Sequence, residues 1–288
     1  MSKQNIGVST DCACDLPDAM LDALDIGVIR FYVRTETGLF LDGDEITAQN
    51  VAEYYRSGRG ALVTDEARPD EYAEFFRKRL KQYDELIHIT ISSGSSYAYE
   101  RACAAVVQLG MLADKVKIVD LRTLSTGMAH LLIKAAEMRD SGCGTEEMIA
   151  ALEDMREHLH VSFITQTPKQ MFRNGYMGKF FQSVCESLHM HPIFRMKNGK
   201  TGFGGIGFGD MRGAIRRYIR NVLISQSYID TGRLFITHVG LSLDDIAMIK
   251  NEVAKRADFD EIIVTEASAV IAGTCGDHSM GLIFMKKY

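Results

Sequence analysis

Four serines fall within five positions in Ser92-Ser93-Gly94-Ser95-Ser96, directly after the apolar run Leu86 to Ile91 and before a helical pattern that opens at Tyr97. A buried strand running through a Ser/Gly turn into a helix sets hydroxyls beside free backbone N–H groups and the positive end of a helix dipole. In an open parallel sheet, ligands bind at the carboxyl ends of the strands. Such an element holds a carboxylate or phosphate without a counter-cation. One serine would satisfy simple N-capping, and four exceed that need, so the turn is a candidate anion site.

Other groupings point to other chemistries. Gly202-Phe203-Gly204-Gly205-Ile206-Gly207 matches G-x-G-x-x-G. However, it follows a predicted hairpin late in the chain, not an early strand of a βαβ unit, and the first acidic candidate, Asp230, comes after a long basic helix. No Gly-Lys-Ser/Thr string marks a P-loop. The H-x-H pairs His158/His160 and His189/His191 would share a strand face and could bind metal, although surface or half-buried histidines explain them as well. A hydrolase could pair Ser96 with His238 or His278, but no Gly-x-Ser-x-Gly elbow is present. Cys12 and Cys14 form C-x-C with no second pair at zinc spacing and read as structural thiols. Asp11 and Asp15 flank the end of the first strand, suited either to cap the following helix or to act on a ligand. The arginines 212, 216, 217 and 220 give one helix a solvated basic face, with docking of an acidic partner as the minority reading.

The elements that must position these groups follow from hydrophobic period. Strands are predicted at Ile6 to Ser9, Leu86 to Ser92 and Val116 to Val119, and helices at Val51 to Ser57, Glu71 to Gln82, Tyr97 to Leu112, Ser125 to Met138 and Glu146 to His158. A short helix starts from Pro17, and Gly27 to Val33 and Thr35 to Leu41 form alternating runs. Strands alternating with helices mean βαβ units and a parallel sheet covered on both faces. After residue 160 the pattern shifts to a strand (Val161 to Ile164), short helices near Met171 and Phe180, and a hairpin of Met190 to Met196 with Lys200 to Ile206 around Asn198-Gly199. A helix (Met211 to Ile224), strand (Arg233 to His238), helix (Leu243 to Ala257) and strands at Ile262 to Thr265 and Met280 to Met285 complete it. The fold expected is α/β: an N-terminal three-layer, parallel-sheet domain over 1–158, and a C-terminal α+β domain with a mixed or antiparallel sheet over 159–288. No Pro- or Gly-rich linker separates them, so they are expected to pack closely and share a cleft.

The 288 residues are enough to bury a core without staples, and 46% hydrophobic with 25% charged is ordinary globular composition. Lys and Arg number 33 against 38 Asp and Glu, a net charge of −5. That balance argues against a nucleic-acid or anionic-membrane binder. No run of 18 apolar residues is present to span a membrane. The first residues carry no signal core, so the six cysteines are expected to be reduced thiols in a cytoplasm.

Taken in order, these segments resemble the DegV family of bacterial fatty-acid-binding proteins. Thr10-Asp11-Cys12-Ala13-Cys14-Asp15-Leu16-Pro17 is similar to its T-D-S-x-x-D-L-P opening. Ile91-Ser92-Ser93-Gly94-Ser95-Ser96-Tyr97-Ala98-Tyr99 is similar to its I-S-S-G-L-S-G-T-Y. Ile118-Val119-Asp120 with Ser125-Thr126-Gly127, His191-Pro192-Ile193 with Asn198-Gly199, and Ile236-Thr237-His238 extend the likeness over essentially the whole chain. The resemblance implies two α/β domains and a non-enzymatic carrier without a cofactor. A long-chain fatty acid would lie in an apolar tunnel between the domains, its carboxylate held by a Thr and a Ser hydroxyl. A partner kinase, where one exists, would phosphorylate that carboxylate with ATP and feed phospholipid synthesis. The matching residues are Thr64 and Ser96. The sequence departs from the pattern around them: Pro69 comes five residues after Thr64, not three, and Asp65 replaces a Ser. Asn174-Gly175-Tyr176 lacks the Arg of a Gly-Gly-Arg motif, and Thr274 stands for a His. With two polar groups replaced and Asp65 added beside the head group, ionised fatty acid is expected to bind less well, and better as pH falls, unless Arg173 or His278 substitutes.

Overall fold

The computed structural model describes residues 5–59, 62–166, 171 and 190–287. β1 (Ile6–Asp11) passes through a 3-10 turn (Cys12–Cys14) into α1 (Asp18–Ala23) and β2 (Ile26–Ile29). β3 (Tyr32–Thr35) and β4 (Gly38–Leu41) form a hairpin, followed by α2 (Ala48–Arg56), β5 (Val63–Asp65) and α3 (Pro69–Arg79). β6 (Glu85–Thr90), α4 (Ala98–Val107), β7 (Val116–Asp120), α5 (Thr126–Ser141) and α6 (Thr145–Glu157) complete the first half. β1, β2, β6 and β7 pair in parallel in the order β2-β1-β6-β7. Every residue of β1 is buried, as is all of β6 after Glu85, the polar Ser9, Thr10, Asp11, His88 and Thr90 included, as expected of a parallel sheet covered on both faces.

The strands between Tyr32 and Asp65 do not join that sheet. β3 pairs antiparallel with both β4 and β5, making a separate three-stranded sheet. The run Gly27 to Val33 is therefore split between two sheets, and three-residue β5 is too short to announce itself by period. The predicted helix Tyr97 to Leu112 ends at Val107, and Gly110, at φ 60°, opens a 3-10 turn in its place.

The second half runs β8 (Leu159–Thr165), β9 (Met190–Lys197), β10 (Lys200–Phe208), α7 (Met211–Val222), β11 (Ile229–Val239), α8 (Leu243–Ala254), β12 (Glu261–Glu266), α9 (Ala269–Cys275) and β13 (Ser279–Lys286). Its strands form one mixed sheet, β10-β9-β8-β13-β11-β12, with β11 and β12 parallel and the other pairs antiparallel. Asn198 (φ 50°) and Gly199 (φ 77°) make the tight β9–β10 turn that Asn-Gly favours. Met171 is helical and fully buried; the helix expected near Phe180 lies outside the described residues.

α5 joins the two halves. It buries residues around most of its circumference, and it packs on β1 on one side and on β8 and β13 on the other. A helix apolar all round belongs inside a core. One apolar cluster accordingly runs from Ile6 and Leu86 through α5 to Phe235, Ile271 and Ile283, while a second gathers Ile215, Tyr218, Leu234 and Val253 under α7 and α8. α9, a seven-residue helix not anticipated from the sequence, crosses back to pack on α2, β3 and β5.

Candidate functional site

In the parallel sheet β2 lies on one side of β1 while β6 and β7 lie on the other, so the strand order reverses between β1 and β6. The crevice at such a reversal, beyond the carboxyl ends of the strands, is where open α/β sheets bind ligands. There the Asp11 carboxylate accepts from the N–H of Ile91 (2.8 Å), tying the end of β1 to the start of the serine turn.

The four serines of that turn have four different fates. Ser92 Oγ donates to the Gly199 carbonyl (2.6 Å), fastening the tip of the β9–β10 hairpin to the turn. The hairpin comes so close that a Cβ on Gly94 would sit 2.4 Å from Gly199 O, which accounts for the glycine. Ser93 Oγ donates to Asp120 Oδ2 at the end of β7. Ser95 Oγ is buried with no hydrogen-bond partner among the described residues. Ser96 Oγ accepts from the N–H of Ala98 (3.1 Å) at the start of α4 and donates to Glu66 Oε1 (2.7 Å). The same Glu66 oxygen accepts from the N–H of Tyr97 (3.0 Å).

Thr64 and Ser96, singled out in the sequence, line one cavity of about 800 Å³ together with Asp65, Glu66, Arg101 and Thr274. Thr64 enters from β5, where pairing of Val33 with Thr64 turns its methyl toward Gly273 of α9. A Cβ on Gly273 would lie 3.2 Å from that methyl. The Thr64 hydroxyl has no hydrogen-bond partner among the described residues. Thr274 faces the cavity from α9, its hydroxyl donating to Val270 O (3.3 Å).

The charge at this site differs from expectation. Asp65 lines the cavity, but its carboxylate is taken by Arg34, with Nη2 at 2.6 Å and Nε at 3.1 Å. The acid that meets the Ser96 hydroxyl is the next residue, Glu66. Arg101 of α4 faces it, with Nη2 3.4 Å from Glu66 Oε2 and Nη1 donating to Glu66 O (2.6 Å). His278 does not line the cavity. It pairs with Asp277 (3.0 Å), which raises its pKa, and Asp277 is also held by Arg56 (2.7 Å). Arg173, Tyr176, Cys185 and His189 lie outside the described residues.

α9 separates this cavity from a second one. Ile271 and Cys275, one turn apart, line a small apolar cavity of about 30 Å³ with Val161, Phe163, Thr237, His238, Met280 and Ile283. Carboxylates of the first half hold the start of α9: Asp42 accepts from the N–H groups of Ala269 (2.9 Å) and Val270 (3.1 Å), and Asp15 accepts from Ser268 N–H (2.7 Å) and from the Ser125 hydroxyl. Asp11 caps the Cys12–Cys14 turn through Ala13 N–H. Asp11 and Asp15 thus fasten backbone; neither caps α1. Burial pushes both up to about 7 against these donors.

The competing chemistries find no support. Ser96 bonds a carboxylate and not a histidine; His238 lines the other cavity, where burial lowers its pKa. Gly202 to Gly207 lie within β10, an antiparallel edge strand bulged between Phe203 and Gly205, not in the strand-to-helix turn of a βαβ unit, and the helix that follows opens at Met211 with Asp210 as its cap. His158 caps the end of α6, while His160 stacks on Phe284 and bonds Ser162 (2.7 Å). Among the described residues no group of three or more His, Cys, Asp or Glu is placed to hold a metal ion. Cys12 and Cys14 are buried free thiols, and burial pushes both up. Arg212 pairs with Asp245 (2.6 Å), and Arg216 and Arg220 lie on the outer face of α7. No helix among the described residues is long and apolar enough to cross a membrane.

Comparison with known proteins agrees with this architecture. A DegV domain-containing protein of Deinococcus radiodurans is 26% identical over 221 residues, covering 75% of this chain and 78% of that protein. One from Clostridium acetobutylicum is 22% identical over 285 residues, 99% of this chain and 100% of the other. Among solved structures, a DegV family protein from Thermus thermophilus described by its fatty-acid binding superposes with a TM-score of 0.87 at 24% identity, covering 98% of this chain and 100% of that one. A DegV family protein from Eubacterium eligens loaded with heptadecanoic acid gives 0.84 at 19% identity, covering 98% and 100%. The model of the family described as "uncharacterised protein, DegV family" matches residues 5–287, and the chain belongs to the DegV family.

Proposed function

We propose that this chain binds a long-chain fatty acid, with the head group at Thr64 and Ser96 and the acyl chain running past α9 between the halves that divide near residue 158. One observation carries this reading. Hydroxyls from three separate elements, Thr64 of β5, Ser96 before α4 and Thr274 of α9, meet at one cavity of ligand size. The apolar space behind α9, about 30 Å³, has room for roughly two waters. Acyl entry therefore requires side chains such as Met280 and Ile271 to move aside, and methionine adapts readily to such repacking. That the Thermus thermophilus and Eubacterium eligens relatives are described with fatty acids supports the assignment.

The protein acts as a carrier in this reading, not an enzyme. Ser96 bonds the Glu66 carboxylate, an oxygen that Tyr97 N–H also holds, and has no histidine partner among the described residues to form a Ser-His nucleophile. Presentation of the head group to an ATP-dependent fatty acid kinase in the cytoplasm would follow from its place at the surface cavity. The test is native mass spectrometry of the chain purified from a bacterial host. A retained C16–C18 acid is expected; a ligand-free chain that also fails to bind added palmitate would refute the proposal.

A further inference from the structure

We propose that Glu66 selects the head group: by filling the acceptor position at Ser96 and the start of α4, it makes the site favour a long-chain ligand with a neutral, hydrogen-bond-donating head over an ionised carboxylate. A protonated acid, a primary amide and an alcohol all belong to the favoured class. The inference rests on the acyl-binding reading above and adds the chemistry of the head.

The donors at Ser96 and the start of α4 that would hold an ionised carboxylate are already spent. The single proton of the Ser96 hydroxyl and the N–H of Tyr97 both go to Glu66 Oε1, at 2.7 and 3.0 Å. The cation in the described wall of the cavity, Arg101, faces Glu66 Oε2 at 3.4 Å and donates to the carbonyls of Glu66 (2.6 Å) and Ala67 (3.4 Å). The Glu66 side chain is only 16% exposed, so solvent screens it poorly. A second carboxylate drawn to these donors would lie about 3 Å from the first, a distance at which two carboxyl groups do not both stay ionised. Asp65 adds a further acidic group to the same wall, its carboxylate held by Arg34.

The same arrangement welcomes a donor. A carboxylate has about four acceptor positions, and Oε1 uses two of them. The remaining lone pairs can accept an O–H or N–H from a ligand head in a short, charge-assisted bond. The hydroxyls of Thr64 and Thr274 can each give or accept a hydrogen bond from the other walls. The cavity is thus complementary to a head that brings its own proton.

The test is calorimetric titration at pH 8 of delipidated protein, parent and Glu66→Gln, with laurate, dodecan-1-ol and dodecanamide. The parent is expected to bind the alcohol and the amide at least tenfold more tightly than laurate. Glu66→Gln, which keeps the shape and removes the charge, is expected to raise laurate affinity at least tenfold while changing that for the alcohol less than threefold. A parent that prefers laurate overturns the inference, and so does a folded Glu66→Gln protein whose laurate affinity is unchanged or lower. In either case binding itself is seen and the acyl-binding reading stands. If neither protein binds any of the three, the reading and the inference fall together. The parent measurement decides the question even if the variant does not fold.

Discussion

Asp42 is buried at the end of the β3–β4 hairpin, yet its carboxylate serves a helix 227 residues further along the chain. Replacing it by Ala removes the acceptor for the N–H groups of Ala269 and Val270, at 2.9 and 3.1 Å. Hydrogen bonds to a charged acceptor contribute about 1.5–3 kcal/mol each, so the pair is worth roughly 3–6 kcal/mol. Part of that is offset: burial pushes the Asp42 pKa up, so the ionised group is costly to hold and its removal recovers some stability. The Ser268 hydroxyl also continues to cap Ile271 N–H (3.4 Å). The net expectation for Asp42→Ala is a loss of about 2–4 kcal/mol. Asp42→Asn, which keeps one carbonyl acceptor, should lose about half as much. Asp44→Ala is the control, because exposed Asp44 makes a single ion pair among the described residues, to Arg30 at 3.6 Å, and should change stability by less than about 0.5 kcal/mol. Urea unfolding at pH 7 measures all three, read from the midpoint at constant m. Because α9 carries residues of both cavities, Asp42→Ala should weaken acyl-ligand binding as well. A loss under 0.5 kcal/mol would refute the clamp, and a destabilised variant with parental affinity would remove α9 from the binding site.

Ser96→Ala is expected to weaken acyl-ligand binding about tenfold, since it removes the hydroxyl that holds Glu66, a bond to a charged group worth about 1.5–3 kcal/mol, and so displaces the acceptor that meets the ligand head. Ser93→Ala, whose hydroxyl serves Asp120, should leave affinity unchanged, and the reverse outcome in titrations would show the register to be wrong. NAD, NADP and ATP should not raise the melting temperature, because Gly202 to Gly207 form an antiparallel edge strand. A true ligand at ~100 times its Kd would stabilise by about 2.7 kcal/mol, so a clear upward shift would reopen the nucleotide reading. Stability should peak near pH 6.5. Burial lowers His88 from 6.5 to about 3, and His130 and His160 to about 4, so their contribution is present above pH 6.5 and lost as pH falls toward 4. Asp11 and Asp15, raised from 3.8 to about 7, act oppositely: their contribution is full below pH 3.8 and lost as pH rises through 7. Each group contributes about 1.4 kcal/mol per pH unit between its two values, so three histidines outweigh two aspartates below pH 6.5 and the aspartates dominate above it. His238, lowered, adds to the histidine side, and Asp42 and Glu266, raised, add to the acid side at the low end of the range; His278, raised by its bond to Asp277, adds to the loss above pH 6.5. A urea midpoint that keeps rising through pH 8 would contradict this balance.

Much of the molecule is legible from local chemistry. Leu86 to Ile91 is mostly apolar because both faces of a parallel sheet are covered, and Asn198-Gly199 names its turn because few other residues tolerate positive φ twice in succession. The strand, serine turn and helix at residues 85–107 follow from period and from the residue types that end a strand and begin a helix. The order of such segments along the chain was enough to indicate the family. What each side chain faces was not legible in the same way. By residue type the serine turn as a whole was the candidate; the tertiary structure spends Ser92 on a carbonyl 107 residues away and Ser93 on an aspartate 27 residues away. The acid beside Ser96 was expected to be Asp65 and is Glu66, a shift of one residue. Antiparallel pairing of β5 on β3 fixes Asp65 beside Arg34, and the chain leaving that strand brings Glu66 to Ser96. α9 went unseen because seven residues are too few to display a helical period, and because the acids that hold its start, Asp15 and Asp42, lie more than 220 residues before it. Propensity and period act between neighbours in sequence, so the sequence alone determined the longer elements and their order. Hydrogen bonds to a buried carboxylate form between neighbours in space, so the folded chain alone decided which acid, hydroxyl and cation share the site.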